Sequence, residues 1–276
     1  MNVVEQMLQR YPQDSNEART RALREVMQVI ALAGLYRGGF FDKAAFYGGT
    51  CLRIFHGLPR FSEGLDFSLL QPDANFSLEP YFKAMRDEFA AFGFEVEIAA
   101  KQKVAASDIA SAFLKKTASV YDLRIAGQKL IKIKFEVDTD PPLGFSIEEK
   151  LLLQPYSFFV KCFALPDLFA GKMHALLFRQ WKNRVKGRDW FDFEWYVRQG
   201  CSLSLAHFAE RARQGGDLSE VILTAEAFQA MLEARIAALD VNAARQDVAR
   251  FIKTPTQLDI WSHEYFLQLA RMTRLQ

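Results

Sequence analysis

The sequence predicts an α/β (α+β) chain in two parts. A lobe with a mixed sheet, opening on a helix, is expected over residues 1–160, and an all-helical lobe over 161–276. Three observations carry this reading. First, "LIKIKFEVD" alternates strictly, with Ile131, Ile133, Phe135 and Val137 set against Lys132, Lys134, Glu136 and Asp138, the period-two pattern of a half-buried strand. Second, "KAAFYGGTCLRIFHGLP" reads as a short strand, a glycine turn and a short helix that Pro59 ends. Third, from about residue 164 alternation gives way to helical spacing.

The elements follow in order. Leu23, Val26, Val29, Ile30 and Leu32–Ala33 recur at helical spacing over Asn16–Tyr36. Asp14, three residues before Glu17, is expected to cap that helix. Leu65–Leu70 is expected as a strand and Ser77–Phe92 as a helix, with Tyr81, Phe82, Met85, Phe89 and Phe92 on one face. "FEVEIAAK" and "YDLRIAG" read as further strands, and Pro141–Pro142 stops the strand begun at Leu130. Helices are expected over "LPDLFAGKMHALLFRQW", over "RDWFDFEWYVRQG", and within Leu205–Arg213, Leu218–Leu239 and Leu258–Leu275.

Bulk properties narrow the function classes. Of 276 residues, 50% are hydrophobic and 25% charged, and 25 phenylalanines supply a sizeable core. The net charge of +2 excludes a polybasic chain but leaves room for a local basic patch. Cys51, Cys162 and Cys201 are odd in number and lack CxxC spacing, which argues against a disulfide framework or a zinc site. No apolar run reaches the ~18 residues of a membrane span, and the first twenty residues lack a secretory pattern. A cytoplasmic setting without a membrane partner is expected.

Several residues carry chemistry. Glycines at a strand-to-helix turn let backbone amides approach a phosphate, and the helix start favours its charge, which nominates Gly48, Gly49 and Thr50. In "EGLDFSL", Gly64, Asp66 and Ser68 share one strand face, and an exposed carboxylate there suits Mg²⁺. Glu136 and Asp138 offer a further carboxylate on another strand. Lys172, Arg179 and Lys186 lie seven residues apart, so a helix would align Lys172 with Arg179; Lys182, Arg184 and Arg188 add to a basic cluster. Such a cluster suits nucleotide phosphates or an RNA backbone, and Trp181, Trp190 and Trp195 are candidates for stacking or for the core. His174 reads as a packed, hydrogen-bonded residue. Each of these features also has a plain structural reading.

Their order resembles the AbiEii family of nucleotidyltransferase-like toxins, which includes the MenT toxins. The resemblance runs from about Lys43 to Val197 in four blocks. Gly48, Gly49, Thr50, Leu52 and Arg53 meet the first. Arg60, Ser62, Leu65, Asp66 and Phe67 meet the second, in which Gly64 stands where the family has its first aspartate. Lys172, Ala175 and Arg179 meet the third, and Arg188, Asp189 and Asp192 the fourth. The resemblance implies a polymerase-β-like nucleotidyltransferase fold and transfer of nucleotides from an NTP to RNA, with the tRNA 3′ end as acceptor. It implies Mg²⁺ as cofactor, held by Asp66 with Glu136 or Asp138. It further implies nucleotide contacts from Gly48, Gly49, Thr50, Arg53, Ser62, Lys172 and Arg179, catalytic roles for Asp66, Lys172 and Asp189, and a winged-helix antitoxin as partner in a toxin–antitoxin or phage-defence system. Gly64 then implies impaired catalysis; the alternative is a non-catalytic homologue that binds nucleotide, RNA or antitoxin.

Overall fold

The computed structural model describes residues 2–100, 118–125, 131–179, 185–219 and 222–276. Leu130, Trp181, Lys182 and Arg184, named above, lie outside them. The chain divides into two compact units. One comprises 1–55, 63–141 and 147–162; the other comprises 56–62, 142–146 and 163–276. Two short segments that precede residue 160 thus belong with the helices.

The first unit is built on a seven-stranded mixed sheet. Its strands are β1 (Ala44–Tyr47), β2 (Gly64–Leu69), β3 (Val96–Ala100), β4 (Ala118–Ile125), β5 (Ile131–Asp138), β6 (Ile147–Leu152) and β7 (Phe158–Phe163), in the order β3-β4-β5-β2-β1-β7-β6. β2 pairs antiparallel with β1 and parallel with β5. β5 behaves as its alternation requires: Ile131, Ile133, Phe135 and Val137 are buried, while the intervening charges are not. Phe67 on β2 is the hub of an aromatic cluster with Phe40, Phe46 and Phe135, at ring-centroid separations of 5.0, 5.2 and 6.3 Å. Burying those rings fixes which face of β2 turns outward, because a one-residue slip would exchange the faces.

The long helix spans Asn16–Arg37 and carries most of its own buried surface between Ala22 and Leu35. Its cap is Ser15, whose side chain accepts from the Ala18 N–H, not Asp14. The hydroxyl competes well for this position because serine adopts the required extended backbone while its oxygen reaches the first turn. The expected Ser77–Phe92 helix is shorter, Phe82–Ala91, preceded by a 3₁₀ turn at Glu79–Tyr81. β6 and β7 were not separately foreseen; β6 alternates but buries little.

The second unit holds helices Leu165–Phe178, Gly187–Arg198, Leu205–Gln214, Ala225–Ala237, Val241–Ala249 and His263–Met272. It is not wholly helical: β8 (Ser202–Leu203) pairs in parallel with β9 (Arg274–Leu275). Trp190 and Trp195 are buried in its core, so neither offers an open stacking face. Among the described residues no helix is long and apolar enough to cross a membrane.

Candidate active site

In the sheet unit the candidate residues converge on the ends of β1 and β2. Tyr47 of β1 pairs with Asp66 of β2. The next residue, Gly48, begins the helix Gly48–His56 with φ of +82°. Both its conformation and its surroundings demand glycine: a Cβ there would lie 2.6 Å from Asp66 Oδ2. The glycine turn and the aspartate are therefore one assembly, with the carboxylate packed directly on the turn. Thr50 is fully buried and its hydroxyl donates to the Gly64 carbonyl, tying the helix to the first residue of β2. Its hydroxyl is thereby engaged in positioning β2. Arg53 is likewise engaged, with Glu25, at 2.9 and 3.4 Å.

Register decides between the two further carboxylates. In the parallel pairing of β2 and β5, Gly64 stands opposite Lys134, Asp66 opposite Glu136, and Ser68 opposite Asp138. Residues opposite one another share a face, so Glu136 is the neighbour of Asp66. Asp138 lies one strand repeat further on and accepts from the Asp140 N–H at 3.2 Å. Glu136 forms an ion pair with Lys134. Glu63, next to Gly64, is exposed and directed to Arg24 at 3.5 Å, so it does not replace the absent carboxylate. Among the described residues no three His, Cys, Asp or Glu side chains gather as a metal site would require. Two carboxylates, one already carrying an ammonium partner, do not fit a divalent ion held by protein ligands alone.

In the helical unit the candidates form a buried charge network. Arg60 grips Asp192 with both arms, Nε–Oδ1 at 2.5 Å and Nη2–Oδ2 at 2.6 Å, and both residues are almost fully buried. Lys172, on the helix Leu165–Phe178, reaches Asp192 at 2.7 Å and Asp189 at 3.6 Å. Asp189 and Asp192 share a face of the helix Gly187–Arg198 because they lie three residues apart. Burial pushes the Asp192 carboxyl up, but Arg60 and Lys172 outweigh this and hold it below its ordinary range. Arg60 remains charged for the converse reason: Asp192 overcomes the burial that would discharge it.

Other basic residues are distributed differently from the expected helical stripe. The helix of Lys172 ends at Phe178, and Arg179 is its C-cap, with its N–H still bonded to the Ala175 carbonyl at 3.3 Å and the chain leaving the helix only after it. Arg179 lends its carbonyl to Arg235 at 3.5 Å. Arg188 lies 4.1 Å from the ring centre of Phe251. Lys186 immediately precedes the Asp189 helix; burial, with Lys172, Arg179 and Arg188 adding to it against Asp189, lowers its pKa to about 8. Ser62 lies in the 56–62 segment of this unit. His174 is bound to Asp217 at 2.9 Å, as a packed histidine should be.

The sequence reading missed two supports. Arg60 was matched only by pattern, yet it is the buried partner of Asp192. Gly187 passes so close to the helix Val241–Ala249 that a Cβ would fall 1.9 Å from the Ala244 carbonyl oxygen. The dipeptide "KG" before "RD" gave a cue to the latter, since glycine opening a helix without a side-chain cap signals close approach rather than capping.

A model of the family described as "Nucleotidyl transferase AbiEii toxin, Type IV TA system" matches residues 30–269. The chain belongs to the AbiEii nucleotidyltransferase toxin family. The fold of this AbiEii chain is similar to that of JHP933 from Helicobacter pylori, with a TM-score of 0.55, 17% identity, and coverage of 94% of this chain and 90% of that one. An H. pylori protein assigned as a nucleotidyltransferase gives a TM-score of 0.53, 19% identity and coverage of 94% and 93%. MenT4, a nucleotidyltransferase toxin from Mycobacterium tuberculosis, is similar at a TM-score of 0.48, 16% identity and coverage of 99% and 98%. No curated protein matches the AbiEii chain significantly in sequence.

Proposed function

We propose that this AbiEii chain is a toxin-type nucleotidyltransferase that moves a nucleotide from an NTP to RNA, with the tRNA 3′ end as acceptor. We further propose that Gly64 weakens its catalysis. The observation that carries the reading is the packing of Asp66 on the Gly48 turn, which sets a carboxylate able to meet a phosphate's counter-cation beside a helix start whose amides suit the phosphate. In this reading the amides of the turn are the phosphate-binding group of the sheet unit, and Lys172 is the phosphate-binding residue of the helical unit. Asp192 orients the Lys172 ammonium. Asp189, beside that ammonium, is the acidic residue of the helical unit. A Mg²⁺ ion would have to arrive on the NTP, where it would supply charge neutralisation, with Asp66 and Glu136 the carboxylates nearest to meet it. Loss of one carboxylate from such a site costs on the order of 10³–10⁵ in rate.

The partner expected for a type IV system is an antitoxin, here a winged-helix protein, in a phage-defence setting and in the cytoplasm. The test is transfer of labelled NTP to total tRNA by the native chain and by Gly64→Asp. Transfer by the variant, with weak or absent transfer by the native chain, supports the reading. No transfer by either, with folded protein and all four NTPs, overturns it. One observation favours a second reading, a nucleotide-binding homologue without catalysis: the Lys134–Glu136 ion pair on the carboxylate face. Salt-sensitive binding of NTP or tRNA that Gly64→Asp does not convert into transfer would establish it.

A further inference from the structure

The family resemblance implies carboxylates on β2 and β5; Glu136 and Asp138 meet this on β5, while Gly64 departs from it on β2. Gly64 contributes no side chain, and the residue directly across from it is Lys134. Lys134 lies on the same outward face of β5 as Glu136, two positions before it, and its Nζ is ion-paired with Glu136 Oε2. The position without a carboxylate and the Lys134 position thus stand opposite each other across one strand pairing. A Cβ at position 64 would begin 3.1 Å from the Lys134 carbonyl oxygen, so the backbones approach closely there.

We infer that Lys134 is a resident counter-cation for the Asp66–Glu136 pair and keeps a divalent ion from binding there. The charges facing this pair from its two strands are Asp138, Lys132 and Lys134, all on the same side of β5. Strand neighbours are about 4.8 Å apart and same-face residues about 7 Å apart. An ion between Asp66 and Glu136 would sit within roughly 7–8 Å of the Lys134 position, inside the screening length of physiological salt. Its double positive charge is repelled there, and Glu136 must give up a partner to receive it. The half-exposed ion pair need not be strong to act in this way, because two carboxylates alone hold a hard divalent ion only weakly.

The further consequence rests on the proposed function: a nucleoside triphosphate meets an ammonium on this face, and its binding depends little on added Mg²⁺. The two parts are tested separately. Mn²⁺ binding to the full chain is followed by electron paramagnetic resonance for the native protein, Lys134→Ser, Gly64→Asp, the double variant, and each with Asp66→Asn. The native chain is expected to show no Mn²⁺ that Asp66→Asn removes. Lys134→Ser is expected to raise Asp66-dependent Mn²⁺ affinity about tenfold or more, and the double variant to raise it further. Native binding at micromolar Mn²⁺ that Asp66→Asn abolishes overturns the inference, as does a folded Lys134→Ser protein with no gain. ATP binding measured with and without Mg²⁺ tests the second part. ATP binding that requires Mg²⁺ would overturn the second part, whereas no ATP binding in either condition, beside the expected Mn²⁺ results, would count against the nucleotidyltransferase reading and leave the role of Lys134 standing.

Discussion

The two units place their candidate residues in opposite physical settings. On the sheet, Asp66, Glu136 and Lys134 stand on an outward strand face and are only partly covered. Their positions follow from register and from the phenylalanine core behind them. In the helical unit, Arg60, Asp189 and Asp192 are buried and Lys172 is largely covered, and the four are linked by ion pairs. A substitution on the sheet face changes chemistry at little cost to folding. One in the helical network strands a charge in a poorly solvated interior. Gly64, where the family resemblance implies an aspartate, lies on the more open sheet face, whereas the residues matched in the helical unit lie in the buried network.

Breaking the network gives the largest expected effect. Asp192→Ala leaves Arg60 and Lys172 without their shared anion. Removing one partner of a buried pair typically costs about 3–5 kcal/mol, and urea unfolding should show a loss of that order. The paired change Arg60→Met with Asp192→Leu should recover part of it, since an apolar pair avoids the desolvation of both charges. Equal losses in the single and double variants would mean that the network does not act as a unit.

Gly48→Ala sharpens the sheet side of the comparison. The new Cβ would press on Asp66 from a backbone at φ +82°, and strain of this kind costs about 1–3 kcal/mol. Unlike a substitution of Asp66 itself, it should displace the carboxylate while leaving its charge. A stability loss of this size should therefore accompany the loss of any ATP affinity measured by calorimetry. Unchanged stability would show that the turn can relax away from Asp66.

How much of this was legible in the sequence depended on the range of the signals involved. Strict alternation made β5 and its outward carboxylates readable, and glycine chemistry made the β1 turn readable, because both act over a few residues. The cap at Ser15 and the short 3₁₀ entry to Phe82–Ala91 turned on side-chain competition within a single turn. Longer-range facts left weaker traces. The preference for Glu136 over Asp138 comes from pairing register, which no local pattern specifies. The bond from Arg60 to Asp192 joins residues 132 positions apart. The seven-residue spacing runs from Lys172 to the C-cap Arg179, but Lys186, the third residue of that series, lies beyond the helix end. β8 and β9, two residues each, bury too little to imprint a period.

Lys186 connects stability to binding and should give an effect of about 1–2 kcal/mol, allowing for partial solvent screening. Its pKa falls from the ordinary lysine value of 10.5 to about 8, chiefly by burial. Between pH 8 and 10.5 the unfolded chain therefore holds a proton that the folded chain has released. Stability from this group rises with pH through that window, and below pH 8 its charge is a standing cost. Lys186→Met should thus be the more stable protein at pH 7, and its urea midpoint should lack the rise that the native chain shows above pH 8. Native triphosphate affinity should fall over pH 7–9 as the ammonium is lost, and the variant should lose that pH dependence. Parallel pH profiles for the two proteins would remove Lys186 from the phosphate-binding set.

Gly64→Asp is expected to perturb folding least. Its Cβ would lie 3.1 Å from the Lys134 carbonyl oxygen, tight but at an ordinary backbone angle, so the strands need yield only a few tenths of an ångström. The new carboxylate would stand opposite Lys134, and opposite charges across a strand pair contribute roughly 0.2–1 kcal/mol. The two effects oppose each other, and the urea midpoint should move by less than the equivalent of about 1 kcal/mol. A loss of several kcal/mol would mean that glycine is required at 64 for backbone packing, in the same way as at Gly187. The sheet face would then be no more permissive than the buried network, and Gly64 would be a feature of the fold before it was a defect of the site.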